Sequence, residues 1–363
     1  MGRGSCRPSA KHRASERRRR SVATLDDGDH YAGAGLFDDA IEVLKRLVER
    51  VCYPMLFYAL GFFYQQILDT KRAAEFYDRG SQAPPDYCFP AQLQEMVILQ
   101  NAVQVAPNDA KAFYYLGNLL YDKKRYEEAI QNWEQSCQLD ADFSIAWRNL
   151  GIAYCNVRRD PGKAAACYRQ AFAANPGDSR ILYEMDQLDK RRGMPPEQRL
   201  AALEKDVALV EQRDDLTVEL VTLYNEVGNS ARALEILLAR RFHPWEGGEG
   251  LVSAQYVAAH VILGRESLEA ARPRGALEHF EAARHYPANL GEGKHLLAPE
   301  NHLHYFAGLA RRALGDVGGS LQEFEKAVAI QPRLSPMMYY RALAEKDSGT
   351  RRQLPGCCMN SAI

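Results

Sequence analysis

Apolar residues recur along this chain at intervals of three and four, and no stretch of useful length shows the alternation that marks a strand. The predicted elements are therefore amphipathic helices throughout. The helices also repeat. Phe113, Leu116, Gly117, Leu120, Ala129, Trp133 and Ser136 align with Trp147, Leu150, Gly151, Tyr154, Ala164, Tyr168 and Ala171. The first four pairs are 34 residues apart and the last three are 35 apart, which places one extra residue in a turn around Asp160-Pro161-Gly162.

The same register recurs on both sides. Upstream it is carried by Phe57, Leu60, Gly61, Tyr64, Ala73, Tyr77, Gly80 and Pro85, and downstream by Gly308, Gly315, Phe324, Ala327 and Pro332. Weaker copies fill the interval: Gly35, Ala40 and Leu44 mark a half-repeat; Leu220, Tyr224, Gly228, Ala233 and Leu237 mark a unit; Ala276, Phe280 and Ala283 mark a second helix; a truncated unit begins near Met337. Each unit reads as two antiparallel helices. Small residues such as Gly117, Gly151, Ala129 and Ala164 let the axes approach, and the aromatic and leucine positions fill the space between neighbours. Pro107, Pro176 and Pro332 stop second helices, with Ala141 standing in after Asp140.

Over roughly residues 31–347 this pattern resembles the tetratricopeptide-repeat superfamily. The resemblance implies an all-α, right-handed superhelical solenoid of antiparallel helix pairs. Two departures are expected. Residues 86–107 supply about one helix, and Asp186 stands where glycine belongs, so the unit after Arg180 is expected to pack irregularly.

Charge adds a boundary. Residues 1–20 hold eight Lys or Arg against Glu16 alone, a local net of +7, whereas the remainder carries −8. This Ser-, Gly- and Arg-rich start has no apolar stretch behind it, so it reads as a disordered basic tail over 1–25 rather than as a secretory signal. The helical array then covers 26–347, and 348–363 reads as a second disordered tail. A nucleic-acid partner finds no support in the overall charge of −1, and no apolar run is long enough to cross a bilayer. The eight cysteines include no CxxC pair, which argues against a zinc site or a disulfide framework and fits a reducing, cytoplasmic setting. Cys137, Cys155 and Cys167 fall on apolar helical positions and read as core.

Function in such an array is expected on the concave face lined by first helices, where extended peptides or helices are held. Helical counting puts Tyr58, Phe62, Tyr114, Asn118, Tyr121, Arg148, Asn149, Ile152, Arg180 and Tyr183 on that face. Aromatic, Asn and Arg side chains suit recognition of peptide backbone and carboxylate. One binding mode of the superfamily is a five-residue clamp for a C-terminal carboxylate. Asn118, Asn149 and Arg180 match its spacing, but Tyr114 replaces a lysine and Glu184 replaces a basic residue, so the clamp is not expected to work.

Two glycine-rich segments form a second candidate surface. Trp245-Glu246-Gly247-Gly248-Glu249-Gly250 and Asn289-Leu290-Gly291-Glu292-Gly293-Lys294 are each placed between a second helix and the next first helix. Trp245, Glu246, Glu249, Asn289, Glu292 and Lys294 have the chemistry to stack on and bond a sugar or peptide, although a purely structural turn is the preferred reading. These segments, with Ala83-Pro84-Pro85-Asp86-Tyr87-Cys88-Phe89-Pro90, resemble those of a bacterial family in which the array follows a mutarotase-like β-sandwich domain. No such domain is legible here, so the chain would be the array alone. Gly291-Glu292-Gly293-Lys294 lacks the glycine spacing of a phosphate loop, and His295 replaces its Ser or Thr. His302 and His304 point to different helix faces, and His279 and His285 are also poorly spaced for a metal. No catalytic residue, cofactor or metal is expected. The leading expectation is a bacterial, non-catalytic scaffold for a protein or peptide segment. The alternative is an accessory region of a carbohydrate-active enzyme, with the glycine loops docking onto its catalytic domain.

Overall fold

The computed structural model describes residues 28–349 apart from 29, 49, 296, 297 and 333, and all regular structure among them is helical. The basic tail over 1–25 and the residues from 350 onward lie outside this range. The chain divides into two compact units, Met1–Leu188 and Asp189–Ile363.

The first unit holds α1 (Phe37–Val48), α2 (Pro54–Gln66), α3 (Thr70–Gln82), α4 (Leu93–Val105), α5 (Ala110–Asp122), α6 (Tyr126–Leu139), α7 (Ser144–Asn156), α8 (Pro161–Ala174) and α9 (Ser179–Arg191), whose last turn enters the second. The second continues with α10 (Pro196–Leu203), a 3-10 turn at Glu204–Asp206, α11 (Val207–Val210), α12 (Asp214–Glu226), α13 (Ser230–Ala239), α14 (Leu251–Glu269), α15 (Pro273–Ala282), α16 (Asn301–Ala313), α17 (Val317–Ala329) and α18 (Met337–Asp347).

Pairs α2/α3, α5/α6, α7/α8, α14/α15 and α16/α17 share one device. A glycine on the first helix lies under an aromatic ring of the second: Gly61 under Tyr77, Gly117 under Trp133, Gly151 under Tyr168, Gly264 under Phe280 and Gly308 under Phe324. A side chain on the glycine would strike the ring, so the missing Cβ is what allows the axes to close. Gly264 was not among the residues expected from the sequence. In α12/α13 the same register carries Val221 in place of the glycine and Leu237 in place of the ring.

The turns inside these pairs are also uniform. Leu68, Lys124, Arg159, Gly228, Ala271 and Gly315 each adopt positive φ, between 53° and 82°. The next residue caps the following helix: Asp69, Asp160, Asn229 and Asp316 accept from the backbone N–H of Arg72, Lys163, Arg232 and Gly319. Asp69 N–H bonds the carbonyl of Tyr64, five residues back, whereas Asp160 N–H bonds that of Tyr154, six back. The extra residue of the 35-residue repeat therefore lies in the turn just before Pro161.

The two expected irregularities are present. Residues 83–105 supply only α4, whose Leu93 and Val97 remain exposed. After α9 the second helix is broken into α10, the 3-10 turn and α11, and Asp186 is buried. The prolines fall two or three residues beyond the ends of α4, α8 and α17. Proline is not required for the stop, since α6 ends at Leu139 without it, Asp140 turning its side chain to the Asp142 N–H at 3.0 Å.

Candidate functional site

In the first unit, α5, α7 and α9 present the predicted polar residues, and a core side chain fixes how they are arranged. The Trp133 indole, held over Gly117, donates its N–H to Asn118 Oδ1 at 3.1 Å and lies 3.3 Å from the Tyr114 carbonyl. An indole N–H can only donate, so the oxygen of the Asn118 amide must face it. The same oxygen accepts from Asn149 Nδ2 at 2.9 Å, which joins α5 to α7. Asn118 is also hydrogen-bonded to the Tyr114 side chain, so the groups of the pair with no hydrogen bond to the described residues are Asn149 Oδ1 and the second N–H of Asn149 Nδ2.

One repeat further on, α7 is joined to α9 through charge. Arg148 Nε donates to Glu184 Oε2 at 2.8 Å and its terminal nitrogen donates to Oε1, a two-pronged pair. Arg180 Nε adds a longer contact to Glu184 Oε1 at 3.3 Å. The side chains of Arg148 and Glu184 are only 13% and 20% exposed, against 61% for Arg180. A chain carboxylate thus already occupies the two guanidinium groups.

The structure corrects two of the predicted surface residues. Tyr58 and Tyr114 are buried core residues. Tyr58 donates its hydroxyl to Asp109 Oδ2 at 2.8 Å, and burial raises its pKa well above the usual tyrosine value. Tyr114 packs edge-on against Phe143 with ring centres 4.9 Å apart, and its pKa too is raised by burial. The cause is stacking: a first helix also touches the helices of the neighbouring repeat, which claims positions that helical counting assigns to the open face. Phe62, Asn118, Tyr121, Arg148, Asn149, Ile152 and Tyr183 are half-buried and Arg180 is exposed. Phe62 lies 6.0 Å from Phe63, and Tyr121 lies 4.9 Å from Tyr126 and 5.3 Å from Trp133. Counting also missed Glu184 as the partner of Arg148. The available signal was a pair of opposite charges about one repeat apart.

In the second unit the glycine-rich segments do join a second helix to the next first helix, and they dock on each other. Asn289 Nδ2 donates to the carbonyls of Leu237 and Arg240 at the end of α13, while its carbonyl accepts from Phe242 N–H at 2.8 Å. Glu292 accepts the Gly250 N–H at 2.9 Å and the Ser253 hydroxyl at 3.1 Å, capping the start of α14. Lys294 pairs with Glu300 at 2.6 Å. Gly291, at φ +78°, lies against the Phe242 carbonyl, and Gly248 accommodates the half-buried Trp245 ring. The polar groups of Asn289, Glu292 and Lys294 are thus spent within the fold, a correction to their candidacy as ligand contacts. Glu246 and Glu249 remain exposed.

The histidines serve several environments. His260 and His279 place their Nδ1 atoms 3.0 Å apart, and burial lowers the pKa of both, to about 4 for His260. His304 Nδ1 lies 2.7 Å from Glu323, which also takes Arg284 and Lys326, whereas His302 lies beside Tyr340. No group of three or more His, Cys, Asp or Glu among the described residues is placed to hold a metal ion. Cys137 and Cys167 are buried thiols, the latter pushed up to about 11 by burial. No described helix is long and apolar enough to cross a membrane.

Helix pairs closed by a glycine under an aromatic ring, repeating in one register, define a class of helical repeat proteins. Residues 117–156 match the family model described as the TPR repeat, so this part of the chain, from α5 into α7, carries that repeat. Among curated relatives, Protein O-mannosyl-transferase TMTC1 of Mus musculus is 31% identical over 104 residues, covering 26% of this chain and 10% of that protein. The chain therefore spans about a tenth of that relative's length. Photosystem I assembly protein Ycf3 of Prochlorococcus marinus is 27% identical over 136 residues, covering 35% of this chain and 78% of the relative. Solved structures similar to parts of the chain include YrrB, titled a TPR protein with an unusual peptide-binding site, at 16% identity and TM-score 0.36, covering 68% of this chain and 97% of that one. The pilF protein of Pseudomonas aeruginosa matches at 19% identity and TM-score 0.34, covering 62% and 91%.

Proposed function

We propose that this chain is a non-catalytic scaffold that holds a protein segment on the first-helix surface of its first unit. The observation that carries the reading is the Asn118–Asn149 pair. The Asn118 amide is held by Trp133 and Tyr114, which leaves Asn149 to present an amide acceptor, Oδ1, and the second N–H of its Nδ2. An extended peptide offers the complementary carbonyl and N–H along its backbone. Tyr121, whose ring centre lies 5.3 Å from that of Trp133, adds half-buried aromatic surface on α5, and the exposed Arg180 on α9 adds a charge.

The test is capture of partners from a lysate, followed by titration of the best one against wild type and the Asn149→Ala, Arg180→Ala double variant. Each well-buried hydrogen bond lost should weaken binding by about 1.5–3 kcal/mol where a charged group takes part and about 1 kcal/mol where both groups are neutral. The fold should persist, because neither side chain is core. Equal affinities for the two proteins would place the binding surface elsewhere in the chain.

A further inference from the structure

We infer that Glu184 sets the specificity of this surface by excluding a chain-terminal carboxylate, so that the bound segment is an internal, uncharged stretch of its partner. This rests on the reading of the α5–α7–α9 surface as a binding site. Arg148 and Arg180, on neighbouring helices, bring guanidinium N–H groups to one point, the arrangement that would grip a partner's carboxylate. The chain supplies that carboxylate itself. Both Glu184 oxygens are engaged by Arg148, and Oε1 also receives Arg180.

Geometry makes the internal pair hard to displace. Arg148 and Glu184 are only 13% and 20% exposed, so a ligand acid arriving there meets a like charge in a partly dehydrated setting. Only Arg180 projects far enough to reach a partner, and its charge is partly offset by Glu184. Beside this neutralised corner, the Asn149 amide offers its oxygen and its second N–H to a peptide backbone. Such a surface favours a segment that enters and leaves, with its amides intact, over one that ends there.

The inference is tested with two displayed libraries of random heptapeptides, one ending in a free carboxylate and one continued by carrier residues on both sides. Wild type, Glu184→Gln, Glu184→Ser and Asn149→Ala are each panned against both, after circular dichroism confirms their helicity. Wild type should enrich the internal library alone, and Asn149→Ala should lose those clones. With Glu184 neutralised, the freed guanidinium groups should raise recovery of the free-carboxylate library about tenfold or more. Substituting Arg180→Gln in the Glu184→Gln background should abolish that gain. Equal enrichment of the two libraries by wild type, or an unchanged preference in both Glu184 variants, overturns the role of Glu184 while leaving the surface as a binding site. No enrichment of either library by any of the proteins removes the site itself, and the inference with it.

Discussion

Replacing Gly117 with alanine tests whether the close approach of α5 and α6 is a requirement or an accident of sequence. A Cβ built on Gly117 falls 2.5 Å from Trp133 Nε1 and 2.6 Å from Cδ1, well inside ordinary contact distance. Trp133 is 3% exposed, so the ring has little room to retreat. Overpacking of this kind costs about 1–3 kcal/mol. Displacing the indole also weakens its bond to Asn118 Oδ1, worth about 0.5–1.5 kcal/mol. Against this, alanine is better than glycine in a helix interior by about 1 kcal/mol. The net expectation is a loss of about 1–3 kcal/mol.

Two other glycines calibrate that figure. At Gly151 the built Cβ meets Tyr168 at 3.0 Å, a contact that a small ring shift relieves, so helix preference and crowding nearly cancel. At Gly275 in α15 nothing lies within 4 Å, and alanine should stabilise its unit by up to about 1 kcal/mol. Urea unfolding followed by circular dichroism should therefore rank Gly275→Ala at or above wild type, Gly151→Ala near it, and Gly117→Ala clearly below. A Gly117→Ala variant as stable as wild type would refute the assigned contact, and with it the reason for glycine at this point in five of the pairs.

The turns give an opposite sign. Lys124 adopts φ +62° where Gly228 and Gly315 stand in equivalent turns, so Lys124→Gly should stabilise the first unit by up to about 1 kcal/mol as the left-handed strain is relieved; a fall in the urea midpoint would count against it. Acid should weaken the second unit in two windows. His260 is held near 4 by burial and by His279, so its unfolded form takes up a proton first, and stability falls as the pH drops from about 6.5 to about 4, by up to about 3 kcal/mol. Glu323 is shifted well below the usual carboxylate range by His304, Lys326 and Arg284 despite its burial, so its contribution is lost only below the ordinary glutamate pKa of about 4.5. Unfolding midpoints measured across pH for wild type and His260→Phe should differ in the first window alone; parallel curves would remove the histidine from the account.

What was legible in the sequence follows from which interactions have a fixed spacing. The glycine and the ring above it are separated by the length of one helix and one turn, 16 residues in most pairs, so they survive as a pattern even when the rest of the unit drifts. Gly264 escaped because α14 runs for 19 residues and blurs the surrounding register, yet counting back 16 from Phe280 lands on it. Val221 escaped for a different reason: valine stands for the glycine and Leu237 for the ring, so the unit shows Leu237 in register but lacks the glycine and aromatic types that mark the other pairs.

The surface was less legible because helical periodicity reports direction from one axis, whereas exposure depends on every axis nearby. Tyr58 and Tyr114 point off the same side of their helices as true surface residues do, and they are covered by neighbouring elements whose distance no local pattern contains. Glu184 is the converse case. From the sequence it is a wrong charge at a clamp position, but next to Arg148 it is the group that satisfies the position. Asn118 joins the two problems, since the orientation of its amide is dictated by the Trp133 indole, and that indole is placed by the absent side chain of Gly117. The polar arrangement on α5 and α7 is therefore set from within the core. A change that crowds Gly117 should disturb the Asn118–Asn149 pair even though none of the atoms altered reaches the surface.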